Sequence, residues 1–139
     1  MASNKIECTW KHDMVFEADV QGFKILMDAD PSVGGQNLGP RPKPLLLVAL
    51  AGCTGLDVIS ILRKMRSEPE SFNIYVEGEQ MEEHPKYYHT IHVVYELKGK
   101  EVELEKVQKA VALSKERYCG VNALLQFGAK ITHEIRILD

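Results

Sequence analysis

The stretch LLLVALAGCTGLDVISILRKM, residues 45–65, limits what this chain can fold into more than any other. Pro44 suits a first helical turn, where a missing N–H costs nothing, and Arg63, Lys64 and Arg66 complement the negative end of a helix running to about Arg66. Up to Leu56 apolar side chains cover nearly the whole circumference, which predicts a central helix enclosed on most sides. Gly52 and Gly55 each cost about 1 kcal/mol relative to alanine inside a helix. Close approach is what they offer in return, either of another backbone or of a substrate to the thiol of Cys53. A chain of 139 residues is expected to form one domain, residues 1–139. Its remaining structure is too modest to enclose such a helix, so a symmetric homodimer is expected to cover it.

Around this helix the pattern alternates between strands and helices. Met14-Val-Phe16 and Phe23–Met27 flank Gln21-Gly22 as a hairpin, with a further strand possible near Trp10. Residues 30–44, dense in Pro, Gly and Asn, form a loop. Phe72–Glu77 and Tyr88–Leu97 read as two strands. Leu104, Val107, Val111, Ser114 and Tyr118 then share one helical face, Val121–Phe127 form a short apolar segment, and Ile131, His133, Ile135 and Ile137 alternate along a last strand. The expected class is α+β, with helices against an antiparallel sheet.

A net charge of −3 argues against a sequence-independent nucleic-acid surface. The opening residues lack an apolar signal core, and the run from Leu45 ends at Asp57, short of a membrane span. A cytoplasmic protein with neither a nucleic-acid nor a membrane partner is expected. Cys8, Cys53 and Cys119 are too few for a disulfide-stapled fold and lack zinc-like spacing, so no metal and no cofactor are expected. Either the thiols are inert small core residues or they carry redox chemistry. A thiol with the reference pKa of about 8.5 needs help to ionise, and Cys53 lies roughly 13 Å inside the helix, beyond reach of its N-terminal dipole. Arg41, among the prolines of the approach loop, is the candidate cation. Cys119 stands either at the carbonyl end of one helix or at the start of the next, with opposite effects on its ionisation. Cys8 is expected to be inert. His89 and His92 fall on opposite faces of a strand, which disfavours a shared metal, and His133 is expected at a rim rather than as a base.

GPRPKPLLLVALAGCTGLDVISILRKMR, and further along LSKERYCGVNALLQFGAKITHEI, resemble the OsmC/Ohr family of osmotically inducible and organic hydroperoxide resistance proteins, in particular its short OsmC-like branch. The likeness covers nearly the whole chain, including the turn at Glu83-His84-Pro85. It implies an intertwined homodimer, with antiparallel sheets wrapped around two central helices. It also implies that Cys53 attacks an organic hydroperoxide and that Cys119 resolves the sulfenic acid as a Cys53–Cys119 disulfide, which a dithiol, typically dihydrolipoyl, reduces. Arg41 matches an arginine common in this branch and would hold the Cys53 thiolate. Lys43 and Pro44 stand where the family usually carries a glutamate, and Gly120 where Pro or Ser is frequent. The Leu, Val, Phe and Met side chains expected near Cys53 favour an alkyl peroxide over hydrogen peroxide. The alternative is a non-catalytic dimeric binding protein for an apolar small molecule.

Overall fold

The computed structural model describes residues 2–139. They form two compact units, one ending at Leu46 and the other running from Leu47 to Asp139.

The first unit is a meander of β1 (Glu7–His12), β2 (Val15–Val20) and β3 (Phe23–Met27), paired antiparallel in that order. The strand near Trp10 is thus present as β1. Gln21 and Gly22 both take positive φ, 54° and 86°, the conformation that lets a two-residue turn follow the twist of the strands it joins. Beyond β3 the loop is organised by Asp28, which is 2% exposed. Its carboxylate accepts the N–H groups of Ala29 (2.7 Å), Gln36 (2.9 Å) and Leu38 (3.2 Å). These bonds, the one from Gln36 foremost, hold its pKa below the usual carboxylate value against the opposing effect of burial. At Gly35 a Cβ would run into the Ala29 carbonyl, so the loop closes only with glycine there.

In the second unit α1 (Leu45–Lys64) leads to β4 (Ser71–Gln80) and β5 (Tyr88–Lys98), an antiparallel hairpin. Next come α2 (Leu104–Leu113), a π turn (Ser114–Tyr118), α3 (Gly120–Leu125) and β6 (Lys130–Leu138). Helix α1 stops two residues earlier than its basic cluster suggests. Arg66 turns left-handed (φ 58°), and the N–H groups of Arg66 and Ser67 bond back to the carbonyls of Arg63 and Leu62. The core joins Leu50, Val58 and Leu62 of α1, the alternating Ile91, Val93, Tyr95 and Leu97 of β5, and Val107, Ala110 and Val111 of α2.

Three expectations change. Strand β6 runs parallel to β5, not antiparallel, because the connection between them passes through α2 and α3 and returns the chain to the same end of the sheet. The α+β class itself stands. The apolar character of α1 does not end at Asp57; within one chain, as expected of a chain too small to enclose it, Leu50, Thr54, Val58 and Leu62 form its buried stripe while Leu46, Val48 and Leu56 are exposed, Leu56 by 72%. Over 20 residues, with a mean hydropathy of 2.2 in its most apolar 18-residue window, α1 is long and apolar enough to cross a membrane by length and composition. Finally, Tyr118 does not share the buried face of α2. The π turn admits an extra residue, which leaves Ser114 buried and turns Tyr118 out to 59% exposure.

Candidate active site

Cys53 and Asp57 are one helical turn apart on α1 and therefore project from the same face. Cys119 reaches that face from the junction of the π turn and α3. Its N–H donates to the Ser114 carbonyl at 2.7 Å, and its Sγ accepts the N–H of Asn122 at 3.3 Å. Both alternatives left open for Cys119 hold at once: it closes the π turn and caps α3. The sulfurs of Cys53 and Cys119 and a carboxylate oxygen of Asp57 all lie within 4.8 Å of one another.

The two thiols differ in their surroundings. Cys119 is 3% exposed, whereas Cys53 is half-buried. Burial, with the Cys53 thiol beside it, pushes the Cys119 thiol up to about 11, against the lowering effect of the Asn122 N–H. At neutral pH Cys119 is therefore a thiol.

A buried chain of hydroxyls holds Asp57. Ser114 donates to Asp57 Oδ2 at 2.9 Å; its oxygen also lies 2.9 Å from Thr54 Oγ1, which in turn lies 2.7 Å from the Tyr95 hydroxyl. Ser114 has one hydroxyl proton and gives it to the carboxylate, so it accepts from Thr54, and Thr54 accepts from Tyr95. Burial first, then the neighbouring Cys119 and Asp57, raises the Tyr95 pKa and keeps this phenol a donor. Three protons thus point one way along the chain, toward the carboxylate.

Asp57 also lines an open groove of about 370 Å³ with Ser60, Ile61, Lys64, Leu113 and Tyr118. Its walls are largely apolar. They come from Ile61, Leu113, the Tyr118 ring and the Lys64 stem.

Of the residues singled out by sequence, Cys53 and Cys119 are brought together. Arg41 belongs to the other unit, where its guanidinium is held by the Gly39 carbonyl (2.9 Å) and Asn37 Oδ1 (2.7 Å). Cys8 is exposed on β1. His92 bonds Thr132 (2.7 Å) and Glu134 (3.0 Å), His89 bonds Thr90 (2.8 Å), and His133 sets its ring edge-on to Tyr95 at 6.1 Å. Among the described residues, Cys53, Asp57 and Cys119 form the one group close enough to hold a metal ion, as two sulfurs and a carboxylate. Sequence reasoning missed Asp57 as a member of the site. The signal was there in Cys-Thr-Gly-Leu-Asp, which sets a thiol and a carboxylate at i, i+4 on a helix.

The chain resembles proteins of known sequence and structure along its length. The family model for OsmC-like protein matches residues 34–134. Protein YhfA of Escherichia coli K12 is 30% identical over 130 residues, 93% of this chain and 94% of that protein. The crystal structure of a hypothetical protein from Aquifex aeolicus VF5 superposes with a TM-score of 0.84 at 31% identity, covering 100% of both chains. The organic hydroperoxide resistance protein OhrB of Bacillus subtilis has the same fold, with a TM-score of 0.63 at 16% identity, covering 97% of this chain and 98% of that one. By sequence and fold alike, the chain belongs to the OsmC-like family.

Proposed function

We propose that the protein is a thiol peroxidase that reduces organic hydroperoxides. The observation that carries this reading is the proximity of the two sulfurs: a half-buried thiol on α1 and a buried one capping α3, within 4.8 Å of each other though 66 positions apart in the chain (119 − 53). A disulfide needs about 2.05 Å, so the two sulfurs close the remaining gap when the bond forms. Solved relatives named for organic hydroperoxide resistance give the same reading support at the level of fold.

In the first step the Cys53 thiolate attacks the distal peroxide oxygen. The O–O bond breaks, the alkoxide leaves and takes up from solvent the proton that Cys53 released on ionising, and Cys53 becomes a sulfenic acid. In the second step Cys119 attacks the Cys53 sulfur, the S–S bond forms and water departs. A dithiol reductant such as a dihydrolipoyl group then exchanges through a mixed disulfide, restores both thiols and leaves as its own disulfide. The apolar groove beside Asp57 suits an alkyl tail. Arg41 is assigned to the Cys53 thiolate as its cationic partner, and its two bonds within the approach loop are the kind of support that fixes a guanidinium in place.

The same reading includes a homodimer. The exposed apolar face of α1, running through Leu46, Val48 and Leu56, is covered by the same face of a second copy. Gly52 lies on that side with nothing within 4 Å of where its Cβ would stand. Gly55 instead packs inward, its Cβ position 2.9 Å from Ile74 Cδ1 of β4.

Dithiol-dependent consumption of cumene hydroperoxide tests the assignment. The wild type should turn over, and Cys53→Ser should fall to the uncatalysed rate. Equal rates for the two proteins would assign the chain to non-catalytic binding of an apolar molecule instead.

A further inference from the structure

The second step of this chemistry moves a proton that neither cysteine can place by itself. When Cys119 Sγ attacks the Cys53 sulfenic acid, the Cys119 S–H bond and the Cys53 S–O bond break. The departing hydroxide must gain a proton to leave as water. Cys119 is buried, so bulk solvent does not meet its thiol directly, and burial favours the protonated form. An unassisted attack would first have to shed that proton.

The geometry points to Asp57 as the proton relay of the resolving step, its carboxylate accepting the Cys119 thiol proton and delivering it to the hydroxyl leaving Cys53. A carboxylate oxygen of Asp57 lies within 4.8 Å of both sulfurs, and no other Asp, Glu or His joins that cluster among the described residues. Ser114 fixes the carboxylate with the hydrogen bond to Oδ2. A carboxylate has two oxygens and about four acceptor positions, so it can take a proton on one side while releasing one on the other. Asp57 also lines the open groove, so its carboxylate is within reach of solvent.

The balance closes without a further reactant. The S–S bond and an O–H bond form while the S–H and S–O bonds break. Cys119 sulfur is oxidised by the equivalent of one electron, Cys53 sulfur is reduced by the same amount, and Asp57 ends as it began. The ionisable groups around the relay are Cys53 and Lys64 from α1, Tyr95 from β5 and Tyr118 from the π turn. Tyr95 is occupied as the first donor of the hydroxyl chain.

This assignment rests on the peroxidase reading, and a single-turnover experiment separates the two. Reduced protein is mixed with one equivalent of cumene hydroperoxide. Peroxide loss, dimedone-trapped sulfenic acid and disulfide are followed with time by acid quench and mass spectrometry. Asp57→Asn keeps an oxygen for Ser114. Far-UV circular dichroism shows that it is folded, and the peroxide it consumes should appear as accumulated sulfenic acid. Its disulfide formation should be at least 100-fold slower than wild type near pH 7 and should rise about tenfold per pH unit, as hydroxide replaces the relay. Asp57→Glu, with its carboxylate retained, should recover much of the loss and the shallower wild-type pH profile. Disulfide formation in Asp57→Asn at the wild-type rate with the wild-type pH profile would overturn the relay while leaving the peroxidase standing. Failure of the wild type to consume peroxide would overturn both.

Discussion

Substituting leucine for Gly52 separates the stability of the chain from that of its assembly, because the two should move in opposite directions. A Cβ at Gly52 meets nothing within 4 Å, so the side chain enters open space and causes no clash within its own chain. Replacing an interior helical glycine should then favour α1 by about 0.8–1 kcal/mol through helix propensity alone. At a symmetric helix–helix contact, however, each copy drives an isobutyl group into the other. Overpacking costs about 1–3 kcal/mol per insertion, so two insertions should weaken the dimer by about 2–6 kcal/mol, roughly 30-fold to more than 10⁴-fold in Kd. Sedimentation velocity across a dilution series from the micromolar range reads the second effect, and far-UV circular dichroism reads the first. The expected result is a helical Gly52→Leu chain that sediments as monomer where the wild type is a dimer. A variant that dimerises with wild-type affinity would refute this placement of the interface. A folded wild-type monomer at micromolar concentration would refute the dimer itself.

Gly55→Leu should behave differently: its Cβ would stand 2.9 Å from Ile74 Cδ1, so melting should show lost fold stability before any change in assembly is reached. Thr54→Val keeps the shape of a 2%-exposed side chain but removes the middle of the hydroxyl chain, and should lower unfolding stability by about 2–3 kcal/mol in denaturant titration as the Tyr95 hydroxyl loses its acceptor. The raised Cys119 pKa makes stability fall with alkaline pH. The folded state holds the thiol proton more tightly than the unfolded one, so this contribution is complete below about pH 9 and is lost as pH climbs toward 11. Melting temperatures of the reduced protein across that window should decline more steeply than those of Cys119→Ala, and parallel curves would contradict the shift.

Most of the second unit was legible because its elements obey simple periodicities. Ile91, Val93, Tyr95 and Leu97 alternate into the core as a half-buried strand should, and Val107 and Val111 follow a helical stripe. The direction of β6 was not legible, since alternation fixes which face a residue takes and says nothing of its partner's direction. The phase change at the π turn escaped as well. Leu104 to Tyr118 reads as one amphipathic stripe, and only the extra residue within the turn shows why Ser114 goes in while Tyr118 comes out. At the site the two thiols were visible from their motifs. In the sequence Asp57 reads as the end of an apolar run, because what holds its carboxylate is Ser114, a residue 57 positions away that only the fold brings to it.

The central claim is that Cys53 and Cys119 form one redox pair, and mass spectrometry of the reduced protein after one equivalent of organic hydroperoxide tests it most directly. Alkylation of remaining thiols followed by proteolysis should recover the Cys53 and Cys119 peptides joined, two hydrogen atoms lighter than their sum, with Cys8 still alkylated. Cys53 and Cys119 peptides that both remain unlinked and fully alkylated would contradict the account.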